Sequence, residues 1–300
     1  MMANEKKMRT LKIKAFAKVN LVLDVIGRRP DGYHEVKMIL QSVDLHDDLV
    51  LTPAPAVSLE IKGGRLPVDD RNIIVRAAKK LLAQAGLSAG ARILLQKRIP
   101  VGAGLGGGSA DAAATLVGLN HLRGLGFSRT DLEQIGATLG ADVPFCLRGG
   151  TVLATGIGEQ LTDLPPLPSL PVFLAKPPFK VRTAQIYKNL VLTAVDRHPE
   201  VQTIVVLIRQ GEYQAIPRYW GNRLEEVTFN LYPELKAVMD WLCRRGLPVR
   251  MSGSGPTLFV FGADWTPGSR AQIAADLRRK GWWTYDGFCK ASGLEVEEWK

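Results

Sequence analysis

A glycine-rich stretch over residues 100–109 is the part of the sequence best suited to bind phosphate. It is Pro-Val-Gly-Ala-Gly-Leu-Gly-Gly-Gly-Ser and runs directly into an alanine-rich segment. Glycines let a backbone turn tightly and approach a ligand closely, and Ser109 is of the type that caps a helix N-terminus. Such a helix end offers free N–H groups and a positive dipole to anions. The stretch therefore predicts a phosphate cradle rather than a flexible glycine linker.

The loop differs from the two common nucleotide-binding motifs. A P-loop has a lysine before its serine or threonine, whereas Gly108 precedes Ser109 here. A dinucleotide fingerprint can be forced onto residues 102–107, but the preceding segment ends in two cations and a proline. A match of that quality is weak on its own.

Lys18 is the next candidate for a chemical role, because it lies in an otherwise apolar segment. Alternation over residues 11–27 predicts a strand with every second residue from Ala15 to Val25 on one face and Lys18 and Asn20 together on the other. A lysine in such a strand is costly unless it meets an anion or water. An exposed strand face remains the alternative.

Asp142 lies in the sequence Gly-Ala-Asp-Val-Pro-Phe and is the natural partner for that lysine. Pro144 is expected to hold Val143 extended, which places Asp142 at a helix-to-strand junction among apolar residues. An isolated carboxylate there needs a counter-charge, and Lys18 is the candidate. A turn or capping aspartate is the simpler alternative.

Two further short segments invite a functional interpretation. Tyr33 and His34 follow a turn-forming segment, residues 27–32, and lie near the end of the strand that carries Lys18. The small-residue turn 252–255, Ser-Gly-Ser-Gly, would let backbone approach a phosphate. The alternatives are ordinary packing for Tyr33 and His34 and an ordinary turn for residues 252–255.

The elements that must position these residues alternate between strands and helices. Periodicity predicts helices beginning near residues 72, 109, 129, 183, 232 and 267, and strands at 11–27, 35–44, 46–51, 57–61, 91–96, 151–155, 172–176, 249–251, 257–262 and 282–288. Four prolines over residues 163–171 indicate a linker. We therefore expect an α+β protein with domains at 1–162 and 172–300 and a cleft between them.

Composition excludes several classes of protein. The chain has 300 residues, 46% hydrophobic and 23% charged, with no apolar run long enough to span a membrane. The charged start is not a secretory signal, and the three cysteines lack CxxC spacing, which favours a reducing cytoplasm. The net charge of +10 suits a polyanionic small substrate or nucleic acid.

In order and spacing, the stretch over residues 100–110 resembles the phosphate loop of the GHMP kinases, the superfamily of galactokinase, homoserine kinase and mevalonate kinase. The glycine triplet 106–108 and the segments 17–21, 31–34 and 140–145 resemble one branch of it. That branch phosphorylates 4-diphosphocytidyl-2-C-methyl-D-erythritol in the non-mevalonate route to isoprenoid precursors. The resemblance covers roughly residues 11–262.

The resemblance implies a two-domain GHMP kinase fold and a reaction. The N-terminal domain would be similar to the second domain of ribosomal protein S5, and the C-terminal domain would be ferredoxin-like. ATP, accompanied by Mg²⁺, would lie on the glycine loop and the substrate in the cleft. The γ-phosphoryl group would pass to the 2-hydroxyl of the cytidylated substrate. A monomer or a homodimer is expected, with no membrane or nucleic-acid partner.

The resemblance also implies residue roles. Lys18 and Asp142 would be catalytic. Substrate would be bound by Asn20, Tyr33, His34, Thr183, Tyr187, Ser252 and Gly253. ATP would be bound by Asn72, Lys97, Pro100, Val101, Gly102, Ala103, Gly104, Leu105, Gly106, Gly107, Gly108, Ser109 and Ala110. No strong protein ligand for Mg²⁺ stands out; Ser109 is a candidate.

Two alternatives stay open at this point. Another GHMP kinase, of the homoserine or mevalonate type, would keep the phosphate loop, but it would not call for a nucleobase pocket at Tyr33 and His34. A basic nucleic-acid-binding module would suit the net charge of +10, but it would leave the glycine loop, Lys18 and Asp142 without a use.

Overall fold

The computed structural model describes residues 10–192, 198–262 and 266–299. Its strands are β1 (Thr10–Arg28), β2 (His34–Ala54), β3 (Ser58–Lys62), β4 (Gly90–Gln96), β5 (Thr151–Thr155), β6 (Gln160–Asp163), β7 (Pro171–Lys176), β8 (Val249–Met251), β9 (Leu258–Phe261), β10 (Trp283–Phe288) and β11 (Leu294–Trp299). Its helices are α1 (Ile73–Gln84), α2 (Gly107–Arg123), α3 (Arg129–Ala137), α4 (Val143–Arg148), α5 (Thr183–Lys188), α6 (Val201–Gln210), a 3-10 helix (Tyr213–Arg218), α7 (Glu225–Leu231), α8 (Pro233–Cys243) and α9 (Pro267–Arg279).

The strands form two sheets. The first has the order β11-β1-β2-β4-β3, with β5 paired to β2 and β6 to β5. The second has the order β10-β7-β9-β8 and is antiparallel throughout. This mixture of helices and strands confirms the predicted α+β class. The last strand, β11, returns to pair with β1, which the predicted boundary between 1–162 and 172–300 does not anticipate.

From Ala15 to Val25, strand β1 is buried on both faces, which excludes the alternative of an exposed strand face at Lys18. Register shifts occur after Phe16, after Asn20 and after Val25. The first shift comes from two extra residues in β2, whereas each of the other two comes from one extra residue in β1, which places the following side chains of β1 on the other face of the sheet. Ala15 and Ala17 lie on either side of the first shift and pack in different hydrophobic clusters, although alternation predicted a common face. The bulges re-aim side chains where Lys18 lies.

Strand β2 merges the two strands predicted at 35–44 and 46–51. It runs without a break over His34–Ala54. The pairing with β1 skips residues between Val43 and His46, which marks an irregularity within one strand rather than a turn. The polar residues there mimic a turn in the sequence, but both flanking segments pair with the same partner strand, and this pairing keeps the chain extended.

Two local predictions around the site are wrong. Helix α2 begins two residues earlier than expected, because Gly106 is its N-cap with φ +70°. Ser109 therefore lies in the first turn. Val143 is helical rather than extended, because Pro144 occupies the first turn of α4, where its missing N–H costs nothing. Asp142 is thus the N-cap residue of a short helix.

The C-terminal half contains elements that the sequence did not predict. Helices α6 and α7 and strands β6 and β11 are not among the predicted elements. The segment between β6 and β7 contains Leu164 and Leu167, and both are buried. Across the described ranges, no helix has both the length and the apolar character required to cross a bilayer.

Candidate active site

A single large cleft collects most of the predicted site residues. Its volume is about 1310 Å³, and it runs from the loop before α1, past the glycine loop, to α5. Of the predicted residues, only Ala110 and Ser252 do not line it. Both side chains are fully buried, so a direct contact of either with a ligand is not supported. The cleft therefore brings together residues that lie far apart in the sequence.

The glycine loop is shaped by close contact with the turn 252–255. Gly104 has φ +75°, and a Cβ there would lie 2.3 Å from the carbonyl oxygen of Ser252. The Ser252 hydroxyl donates a hydrogen bond to the Gly104 carbonyl at 2.9 Å. Ser252 thus supports the loop from behind. Helix α2 follows the loop and directs its N-terminal N–H groups into the cleft, the arrangement that binds phosphate.

Lys18 reaches the same point from β1. Its backbone N–H donates to the Leu105 carbonyl at 3.0 Å, which ties the strand to the glycine loop. Its Nζ donates to Asn20 Oδ1 at 2.8 Å and lies 3.5 Å from Asp142 Oδ2. The Lys18 side chain is 5% exposed and that of Asp142 31%. The predicted meeting of Lys18 and Asp142 is confirmed.

Lys97 lies below the loop in a different environment. Its Nζ pairs with Asp47 at 2.5 Å and with Asp111 at 2.7 Å, and all three side chains are buried. Burial lowers the pKa of Lys97, but the two carboxylates outweigh this effect and raise it overall. Burial, together with the second carboxylate, raises the pKa of Asp111 well above its usual range. Lys97 lines the cleft, yet its charge is already compensated.

The opposite end of the cleft is aromatic. His34 and Tyr187 have ring centroids 5.1 Å apart and planes inclined by 36°, and Tyr33 is 61% exposed beside them. Burial and the charge of Arg28 lower the pKa of His34, which keeps its ring neutral near pH 7. Burial raises the pKa of Tyr187 to about 12. Flat apolar faces with a neutral imidazole suit a heteroaromatic base.

Asn72 and Thr183 have structural contacts of their own. Asn72 caps α1 by accepting a hydrogen bond from the Ile74 N–H at 2.9 Å. Thr183 begins α5, and its hydroxyl lies 2.8 Å from that of Ser254. Both residues line the cleft, so their side chains hold the cleft walls in place whatever else they contact.

Sequence reasoning missed several lining residues. The cations Arg28, Arg76 and Lys188 and the buried Asp111 all face the cleft. Lys188 directly follows Tyr187, Arg28 lies in the turn-forming segment before Tyr33, and Asp111 follows the glycine loop, so proximity in sequence was the available signal. No signal in the sequence marked Arg76.

The described residues contain no group of three His, Cys, Asp or Glu side chains that could hold a metal ion. Mg²⁺ in phosphoryl-transfer sites commonly keeps water ligands and is bound through substrate phosphates and one or two protein groups. Such a site does not require a preformed cluster. The residues of the cleft are compatible with that mode of binding.

Comparison with known proteins identifies the family. The GHMP kinases N terminal domain matches residues 72–150, and the GHMP kinases C terminal domain matches residues 206–281. The 4-diphosphocytidyl-2-C-methyl-D-erythritol kinase of Pelotomaculum thermopropionicum is 48% identical over 268 residues, covering 88% of this chain and 93% of that protein. This chain belongs to the 4-diphosphocytidyl-2-C-methyl-D-erythritol kinase family of GHMP kinases. It is an ATP-dependent small-molecule kinase.

Further relatives agree with the assignment to this kinase family. The kinase of the same name from Geobacillus thermodenitrificans is 48% identical, covering 83% of this chain and 87% of that protein. A crystal structure of 4-(cytidine 5'-diphospho)-2C-methyl-D-erythritol kinase superposes with TM-score 0.78 at 38% identity, covering 93% of this chain and 98% of the other.

Homoserine kinase from Cytophaga hutchinsonii has TM-score 0.74 at 21% identity and covers 99% of this chain and all of its own, so it shares the fold. The predicted two-domain GHMP kinase fold is confirmed.

Proposed function

We propose that this kinase transfers the γ-phosphoryl group of ATP to the 2-hydroxyl of 4-diphosphocytidyl-2-C-methyl-D-erythritol. One observation carries the proposal: Lys18 and Asp142 meet at the N-terminus of a glycine-capped helix, in a cleft whose other end has paired aromatic rings. The lysine–aspartate pair at the helix N-terminus suits phosphoryl transfer, and the aromatic end of the cleft suits a nucleobase. The names of the relatives favour the same substrate.

The glycine loop and the first turn of α2 hold the phosphates of ATP. Gly104 and Gly106 have positive φ values, which turn successive backbone N–H groups towards one point. Adding a Cβ at Gly106 would bring it within 2.9 Å of the Lys18 side chain. The loop is therefore close enough to the lysine for both to contact one phosphoryl group.

Asp142 acts on the acceptor hydroxyl. Its carboxylate accepts the proton as the 2-hydroxyl oxygen bonds to the γ-phosphorus, while the bond from that phosphorus to the bridging oxygen breaks and ADP leaves. Lys18 places its positive charge beside that carboxylate and stabilises the negative charge on the moving phosphoryl group. Asn20 accepts a hydrogen bond from Lys18 and thereby orients its Nζ.

Bound with ATP, Mg²⁺ would neutralise charge on the phosphates. Ser109 is the protein group that would hold it, because its hydroxyl lies in the first turn of α2. A Cβ at Gly140 would lie 3.9 Å from that hydroxyl, so Ser109 faces the segment that carries Asp142.

At the aromatic end, Tyr33 and Tyr187 stack on the cytosine and His34 hydrogen-bonds its edge. The low pKa of His34 leaves one ring nitrogen as an acceptor and the other as a donor at neutral pH. Cytosine presents an amino group and a carbonyl group, which match this pair of functions. Thr183 and Gly253 line the remaining substrate side of the cleft.

ADP release tests the proposal directly. The purified protein is supplied with ATP, Mg²⁺ and either 4-diphosphocytidyl-2-C-methyl-D-erythritol, homoserine or mevalonate. We expect turnover with the cytidylated substrate alone, and competitive inhibition by CDP against that substrate. Turnover with homoserine or mevalonate instead would overturn the cytosine pocket while retaining the kinase.

A further inference from the structure

Asn222 lies behind the active cleft, at a junction between the two halves of the molecule. A β-bridge aligns it with Leu23 of β1. The Leu23 N–H donates to the Gly221 carbonyl at 2.9 Å, and the Arg223 N–H donates to the Leu23 carbonyl at 3.0 Å. The segment around Asn222 is therefore fastened to the strand that carries the reactive lysine.

The side chain of Asn222 is buried and hydrogen-bonded through both of its polar atoms. Its Nδ2 donates to the carbonyl of Met251 at 2.8 Å and to that of Gly253 at 2.7 Å. Its Oδ1 accepts from the Leu224 N–H at 2.9 Å. A buried amide with all its partners in place fixes the groups around it, and its loss removes a donor from two carbonyls.

The turn that Asn222 holds is wedged between Lys18 and the glycine loop. A Cβ at Gly253 would lie 3.3 Å from Asn20 Oδ1 and 3.7 Å from Lys18 Nζ. On its other side the turn supports Gly104, through the Ser252 hydroxyl. Any displacement of the turn thus acts on the lysine and on the phosphate cradle together.

We propose that Asn222 is a positioning residue of phosphoryl transfer. It holds the turn 252–255 against β1 and thereby sets the place of Lys18 relative to the glycine loop. It does not line the cleft, so it acts through these neighbours and not on the substrate. The inference rests on the proposed function, because that function gives Lys18 its task at the phosphoryl group.

A purely structural role is the competing explanation, and Asn120 provides the matched control. Asn120 also donates from Nδ2 to a backbone carbonyl and accepts a backbone N–H, both of Phe127, at 2.8 and 3.0 Å. It lies near the far end of α2, so it is roughly 20 Å along the helix from the cleft. Asn120→Ala removes a comparable amide without touching the site.

The first experiment compares Asn222→Ala and Asn222→Asp with Asn120→Ala. A small misplacement of reacting groups is costly, so we expect kcat to fall by about 10-fold to 100-fold in Asn222→Ala, with KM for ATP within about threefold. Asn222→Asp should lose at least as much, because its carboxylate oxygen faces two carbonyls. Asn120→Ala should keep kcat within about twofold at the same temperature, even where its melting temperature falls equally.

A second experiment asks whether the effect passes through Lys18. Residues that act as a unit show non-additive losses. In a Lys18→Met background, Asn222→Ala should therefore lower the residual kcat by less than about threefold. A full additional loss there, or a kcat in Asn222→Ala equal to that of Asn120→Ala, would overturn the positioning role.

These results separate the inference from the proposed function. Absence of turnover by the wild-type enzyme on the cytidylated substrate refutes the function itself. Normal wild-type turnover with unaffected Asn222 variants refutes only the positioning role. Thermal melts of every variant ensure that each kcat is measured on folded protein.

Discussion

Two buried lysines in the same cleft have opposite environments. Lys18 and Lys97 are 4% and 7% exposed, so burial alone does not distinguish them. Lys97 lies between two carboxylates, at 2.5 and 2.7 Å. Within the part of the chain that the structure describes, Lys18 pairs with a single carboxylate, at the longer distance of 3.5 Å, and with an amide oxygen.

The difference shows how a protein separates a structural charge from a reactive one. Burying an ammonium group is costly unless an opposite charge compensates it. At Lys97 the compensation comes from inside the protein, from two carboxyl groups at short distance. At Lys18 it is loose, which leaves the ammonium free to attract the phosphates of a ligand. The first lysine should therefore matter for stability and the second for turnover.

The largest expected effect is on stability, in Lys97→Met. The substitution leaves two buried carboxylates, Asp47 and Asp111, without their counter-charge. Breaking a buried ion pair from one side costs about 3–5 kcal/mol, and urea unfolding would measure it. Lys79→Met is the control, because Lys79 and Asp70 form an exposed pair worth at most about 1 kcal/mol. Equal losses in the two variants would remove the contrast between buried and exposed pairs.

Lys18→Met should lower turnover strongly and change stability little. We expect kcat to fall by about 100-fold or more, because the charge that stabilises the phosphoryl group is lost. The unfolding free energy should change by no more than about 1 kcal/mol, since the partly exposed Asp142 gains water in place of the lysine. Single-turnover kinetics and urea unfolding on the same preparation measure both quantities. A near-normal kcat would remove Lys18 from the mechanism.

Asp142→Asn tests the partner of Lys18. An amide keeps the shape but cannot accept the hydroxyl proton, so kcat should fall by about 100-fold. Binding of ATP should persist, with KM for ATP within about threefold of the wild-type value. Steady-state ADP release gives both constants. Retention of more than a tenth of the wild-type kcat would exclude a proton-accepting role.

The smallest expected effect is a pH dependence at Asp111. Its pKa is raised in the folded protein, mainly by burial. Ionisation of this group therefore favours the unfolded chain as pH rises above the usual aspartate range, and it lowers stability there. An asparagine side chain cannot ionise, so Asp111→Asn should gain stability relative to wild type on going from pH 5 to pH 8. Urea unfolding midpoints of wild type and variant at both pH values provide the comparison. A difference between the two proteins that is the same at pH 5 and pH 8 would contradict the prediction.

Short-range features of the site were predictable from the sequence. The glycine loop, the helix after it and the helix beginning near residue 72 depend on residues within a few positions of each other. Even there, the predicted start of α2 and the predicted conformation of Val143 were wrong, because a glycine N-cap and a proline in the first turn override simple residue preferences. The predicted assignment of β1 side chains to two faces was wrong, because bulges depend on the pairing with the partner strand.

By itself, the sequence determined the class of chemistry and the fold, because a phosphate loop and its neighbouring motifs are contiguous and recognisable. The tertiary structure alone decided how many opposite charges each buried lysine meets. Lys18 and Lys97 both occur within strands or beside them, and nothing local shows that, among the described residues, Lys97 meets two carboxylates and Lys18 one. Likewise, only the folded chain places Asn222 behind Gly253. Contacts between distant segments depend on how sheets and helices pack, and local sequence preference does not encode them.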